Sequence, residues 1–412
     1  MAFQILLRRG ILAAAVALLV AVALADGVPT AAPGATSPVP LSKQDSLLRV
    51  YVGTYTSGAS RGIYKVEMDA STGAVVEGPA LACHSKNPSF LAVHPNGRFL
   101  YAVNETGNFG GRPTGAVSAF AVDRESGALS LLNQQPSEGA DPCHLAVDAE
   151  SRSVVVANYS GGSVAALPLG ADGRLQPAVR VRHLSGSGPN AARQQSPHAH
   201  GVFFDPSKKF LLTADLGADR IHVERWDGAA GALQPNDPGA IALEPGSGPR
   251  HLAWHPSGTT LYVLNELFST VSALHWNAAS GSLSSFQRIS ALPAGFSGDN
   301  KAAEIAVSPD GRFLYASNRG DDALTVFTVD ASGRLAPAGR VPTGGHAPRS
   351  FALDPAGRWL VAANQDSGSV VVFRVDTATG LPRRVGEAIA VPEPVCVVFA
   401  PRPGPPAGEP SR

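Results

Sequence analysis

At 412 residues the chain could hold two or three average domains, but one repeat runs through most of it and argues for a single large unit. Charged residues are only 16% of the total, with 33 basic and 33 acidic side chains, which removes any electrostatic case for nucleic acid or an acidic polymer as partner. The 44 glycines and 34 prolines are high counts, of the kind that many tight turns absorb.

The first segment stands apart from the repeat. Arg8 and Arg9 precede the apolar run Ile11 to Leu24, and Ala23-Leu24-Ala25 has the small residues of a cleavage site before Asp26. Residues 1–25 are therefore expected to be a bacterial export signal, loosely similar to a twin-arginine signal, and the mature protein periplasmic or secreted. The apolar run is short for a bilayer crossing, so no stable membrane span is expected once the signal is removed. Residues 26–46, rich in Pro, Ala, Ser and Thr without periodicity, read as a solvated linker.

From residue 47 onward the sequence keeps a beat. The strand RVYVGTY ends at Tyr55. Six segments then each read apolar run, turn, apolar run, polar pair, beginning at Phe90, His144, His200, His251, Glu304 and Ser350. Their turn positions Pro95, Ala149, Pro206, Pro256, Pro309 and Pro355 lie 46 to 57 residues apart. Nine residues beyond each stands Asn104, Asn158, Asp215, Asn265, Asn318 or Asn364. A last apolar strand, CVVFAP, ends at Pro401.

A second series of turns alternates with the first and closes on Gly73, Gly127, Gly173, Gly231, Gly281, Gly333 and Gly380. Asp or Asn opening such a turn bonds its own backbone, and glycine accepts the positive φ at its end. Repeats of this length built from short strands predict an all-β, seven-bladed β-propeller over residues 47–401, with four antiparallel strands per blade. The closing blade would take one strand from the C-terminus and three from the N-terminus. Residues 402–412 read as a disordered tail.

Cys83, Cys143 and Cys396 are an odd number, so at least one thiol stays unpaired, and Cys143 and Cys396 read as small buried hydrophobes. No CxxC or Cys/His cluster has zinc spacing, and no metal or cofactor is expected.

The repeat allows equivalent positions to be compared blade by blade. Each innermost strand opens with a triplet, such as Pro142-Cys143-His144, His198-Ala199-His200, Pro249-Arg250-His251 or Pro348-Arg349-Ser350. Structural columns tend toward one residue type. These collect His144, His198, His200, Arg250, His251, Glu304 and Arg349, the convergence of polar groups that a site needs. A second column, at the end of each hairpin, holds Tyr55, Glu105, Tyr159, Leu216, Glu266, Arg319 and Gln365. Antiparallel return predicts Glu266 beside Arg250 and His251, and Arg319 beside Glu304. Such groups also have plain structural uses. A Glu304–Arg319 pair could merely satisfy strand ends, and a histidine at a strand start, as at His144, His200 and His251, is more often a hydrogen-bonded core residue.

The segments GPRHLAWHP, LYVLNEL, AAEIAVSPDGRFLYASNR and APRSFALDPAGRWLVAANQ resemble the bacterial lactonase family of seven-bladed propellers. That family includes propeller-type 6-phosphogluconolactonases and a fungal carboxy-cis,cis-muconate lactonising enzyme. The resemblance runs from about Leu47 to Pro401; PRH and NEL are its most specific elements, and no WD dipeptide recurs from blade to blade. It implies lactone chemistry at the channel mouth by a His, Arg and Glu set, matched here by His198 in SPHAHGVFF, Arg250 in GPRH and Glu266 in NEL. A further family arginine corresponds to Arg319 or Arg349.

The expectation is thus an exported lactonase acting on a sugar-type or acidic lactone, a small anionic substrate. Glu266 or His198 would be the base and Arg250 the oxyanion or anion partner. Arg349, Arg319, His144, His251 and Glu304 would contact substrate. A closed ring needs no partner for stability, so a monomer is expected. The competing readings are a muconate-type lactonising cycloisomerase using the same residues and a non-catalytic binding propeller of the cell envelope. Export would separate the protein from the cytoplasmic sugar-phosphate pathway, which bears on the lactone and not on the reaction class.

Overall fold

Runs such as FLLTAD and TLYVLN are apolar on both faces and too short for helices; each is buried along its whole length between two neighbouring strands. In the computed structural model, which describes residues 47–400 apart from 149, 151, 152 and 229, such runs form the second strand of every blade. The expected export signal, linker and tail lie outside the described residues. Among the described residues there is no helix, and 28 strands pair into seven antiparallel sheets of four.

Blade 1 is the split one. Pro394–Ala400 is its innermost strand and pairs with Leu47–Thr54, which continues into Gly62–Asp69 and Val75–His84. Phe399 stands opposite Val50 and Cys396 opposite Gly53, so the two ends of the described chain are joined by a ladder of backbone hydrogen bonds. Blades 2 to 7 follow in order, with innermost strands Leu91–Val93, Pro142–Val147, Ala199–Phe204, Pro249–Trp254, Lys301–Val307 and Pro348–Leu353. Burial falls from the second strand outward; the outermost strand of blade 1 is exposed along most of its length.

Blade-to-blade contact explains the glycine turns. The second-strand tyrosines Tyr51, Tyr101, Tyr262 and Tyr315 donate to the carbonyls of Gly127, Gly173, Gly333 and Gly380 at 2.8–3.1 Å, in each case in the next blade. Trp359 closes the series by donating to Ala70 O at 2.9 Å in blade 1, and a Cβ on Gly73 would meet its ring at 2.3 Å. These glycines have positive φ and also leave room for a side chain of a neighbouring blade: a ring at Gly73, Gly173 and Gly380, Arg49 at Gly127 and Thr260 at Gly333.

The innermost strands share a defect at one end. Where they leave the ladder, Cys143, His200, Arg250 and Arg349 each sit as an extra residue opposite the partner strand, and the Ala303-Glu304 step of blade 6 is irregular at the same level. A bulge re-aims the side chain it carries. Blade 1 has the same defect at Val395, so six consecutive blades carry it at one mouth of the ring.

Candidate active site

Glu266 is the centre of that mouth. It follows directly on the second strand of blade 5, Thr260–Asn265, and is only 3% exposed. Its Oε1 accepts from Arg193 Nη2 at 2.7 Å, and its Oε2 from Arg250 Nε at 3.1 Å and Arg319 Nη2 at 2.9 Å. Burial alone would raise its pKa, but Arg319, Arg250 and Arg193 together hold it at about 2, so the carboxylate is ionised across the working range. Burial in turn disfavours charge on Arg250 and Arg319, and Glu266 opposes that effect in both.

Above Glu266 opens a cavity of about 380 Å³. Arg193, Arg319, Arg349 and Lys301 bring cations to its wall, and Glu266 and Glu105 bring carboxylates. Arg349 donates to Tyr55 Oη at 3.0 Å, and Tyr55 Oη lies 3.0 Å from both oxygens of Glu105. His200 and Cys143 complete the floor; His200 Nε2 lies 3.9 Å from Glu266 Oε2. Burial, reinforced by Arg250, His251 and Arg349, pushes the His200 pKa well below the usual imidazole value, so His200 rests neutral and its imidazolium is disfavoured.

The sequence-predicted residues separate into two levels. Glu266, Arg319, Arg349 and His200 face the cavity. Arg250, 3% exposed, lies behind Glu266 and also donates to the Ala303 carbonyl. Deeper in the channel His144, His251 and Glu304 pack together: the His144 and His251 rings are 5.0 Å apart, and His251 Nδ1 is 2.8 Å from Glu304 Oε1. Phe90 and Phe203 cover His144 at 4.1 and 4.6 Å. Burial holds His144 and His251 neutral and lifts Glu304 to about 7.

Two expectations change. Arg319 bonds to Glu266 of the preceding blade and not to Glu304, which pairs with His251. His198 lies one residue before its strand, which begins at Ala199; its ring stacks on Tyr159 at 4.4 Å and its Nδ1 is 3.0 Å from the Tyr159 carbonyl. The bulged residue of blade 4, equivalent to Arg250 and Arg349, is His200.

Arg193 and Lys301 did not emerge from the column comparison. Arg193 comes from the long connection between Arg180–His183 and Ala199–Phe204, outside the repeat. Lys301 stands one residue ahead of its triplet, in a column where no pattern was visible. Among the described residues, no three His, Cys, Asp or Glu side chains converge to hold a metal ion.

The sequence profile of the family Lactonase, 7-bladed beta-propeller, matches residues 49–399. A 6-phosphogluconolactonase of Bacillus subtilis is 39% identical over 351 residues, spanning 85% of this chain and 97% of the relative. A 6-phosphogluconolactonase of Formosa agariphila is 35% identical over 271 residues, 64% of this chain and 74% of the relative. Among solved structures, the periplasmic gluconolactonase PpgL of Pseudomonas aeruginosa is similar with a TM-score of 0.81 and 37% identity, over 87% of this chain and 100% of that one.

Proposed function

We propose that this chain, which belongs to the lactonase family of seven-bladed β-propellers, hydrolyses the ring ester of a sugar-type or acidic lactone at the mouth cavity, after export from the cytoplasm. One observation carries the assignment of the site: five cations, Arg193, Arg250, Arg319, Arg349 and Lys301, gather around two carboxylates, Glu105 and Glu266, in and beneath a cavity sized for a small ligand. The excess positive charge suits an anionic substrate and the oxyanion formed when water attacks its carbonyl.

In this reading His200 accepts the proton of the attacking water as the oxyanion forms, and the Glu266 carboxylate 3.9 Å away offsets the burial and the arginine charges that otherwise oppose its imidazolium. Arg319 and Arg349 stabilise the oxyanion or hold a phosphate or carboxylate of the substrate. Arg250 fixes Glu266 from behind. His198, stacked on Tyr159, acts from the side of the cavity, setting the ring against which substrate rests. His144, His251 and Glu304 form the channel floor beneath.

Export is supported by the signal pattern of residues 1–25 and by the likeness to a periplasmic gluconolactonase. Arg319→Ala tests the cationic wall. It is expected to lower kcat/KM for 6-phosphogluconolactone by about 100-fold or more, the scale of one lost oxyanion donor. Unchanged kinetics would remove Arg319 from the site.

A further inference from the structure

Beside the mouth lies a second, larger cavity of about 630 Å³. Lys301, Arg319 and Arg349 belong to the walls of both, so these three side chains form the boundary between two adjoining spaces. Beyond them the lining changes character. Asp299, Asp322 and Asp366 bring carboxylates, Asp322 already paired with His346 at 2.7 Å, with Gln365 among them. Among the described residues no hydrogen bond or ion pair engages the Lys301 ammonium, the Gln365 carboxamide or the Asp366 carboxylate. The outer space thus offers unengaged donors and acceptors together.

That chemistry narrows the occupant. Carboxylates on the outer side oppose a second anion, and so polar a wall gives no gain to an apolar group. Hydroxyl groups, which both donate and accept, match it. Small-ligand sites span about 300–1,000 Å³; the mouth cavity alone lies near the lower end and the two together near the upper. We infer that the preferred substrate is a glycosylated aldonolactone: the lactone ring at the cationic mouth, a neutral sugar in the outer cavity. This rests on the lactonase reading above and assigns the substrate class of the same site.

The test compares kcat/KM for glucono-δ-lactone with that for the lactones of cellobionic acid, glycosylated at O4, and melibionic acid, glycosylated at O6. Wild type is set against Asp366→Trp, which fills the outer cavity, and Gln365→Ala, which removes one polar partner without adding bulk. At least one disaccharide lactone is expected to be preferred about tenfold, a modest gain for a few new hydrogen bonds. The preference should fall toward one in Asp366→Trp and partly in Gln365→Ala. No preference in wild type, or a preference that survives both substitutions, overturns the inference. Hydrolysis of glucono-δ-lactone without preference would do so while leaving the lactonase standing; no hydrolysis of any lactone would remove both.

Discussion

The side chains of the mouth are arranged around a buried negative charge, and their energetics follow from it. Glu266 offsets the desolvation of Arg250, Arg319 and Arg193, so removing its charge leaves buried cations without compensation. Its pairing with Arg250 was legible because antiparallel return brings the end of one strand beside the start of the other. His200 was legible only in part. In the other repeat segments the third residue of the triplet precedes the turn position by five residues, as from His251 to Pro256; in blade 4 His200 precedes Pro206 by six. That one-residue offset places His200, and not Ala199, in the Arg250 column, and it was present in the spacing. Glu304 makes a different prediction. Its pKa is raised from the ordinary 4.5 to about 7 by burial, so the stability it contributes is full below pH 4.5 and is lost as pH rises through 7. Glu304→Gln, neutral throughout, should therefore gain on wild type by roughly 3 kcal/mol between pH 4 and pH 8 in urea unfolding. Parallel pH curves for the two proteins would mean Glu304 is not held protonated.

Strands and turns obey the repeat more closely than the site does. The blades were readable because every second strand is apolar on both faces and every outer turn ends in glycine. The reason for those glycines was not fully readable, since the side chain that each accommodates comes from a neighbouring blade, as Phe210 against Gly281 or Thr260 against Gly333. The bulges were invisible for a similar reason: the extra residue is Cys143, His200, Arg250 or Arg349, with no shared chemistry to betray it. The tyrosine contacts give a measurable consequence. Tyr262→Phe removes the 2.8 Å bond to Gly333 O and leaves that carbonyl without its buried donor. It should cost about 1–2 kcal/mol in urea unfolding with the lactone kinetics unchanged. No loss of stability would show that this blade-to-blade bond contributes nothing net.

For the molecule as a whole, zero net charge conceals a strongly uneven distribution. Cations collect at the mouth while the outer cavity beside it carries aspartates, so steering of an anionic lactone should be local and sensitive to salt. Raising ionic strength from 0.01 to 0.15 M shortens the screening length from about 30 to about 8 Å. It should lower kcat/KM for 6-phosphogluconolactone several-fold and leave glucono-δ-lactone nearly unaffected; equal effects on both would contradict a cationic recognition site. The central claim, that the Glu266 cluster at the mouth hydrolyses lactones, is tested most directly by acid release from glucono-δ-lactone and 6-phosphogluconolactone. The purified protein is compared with Glu266→Gln, and circular dichroism checks that both are folded. Turnover by wild type and a loss of about 100-fold or more in the folded variant are expected; full activity in Glu266→Gln, or no turnover above buffer by wild type, would contradict this assignment.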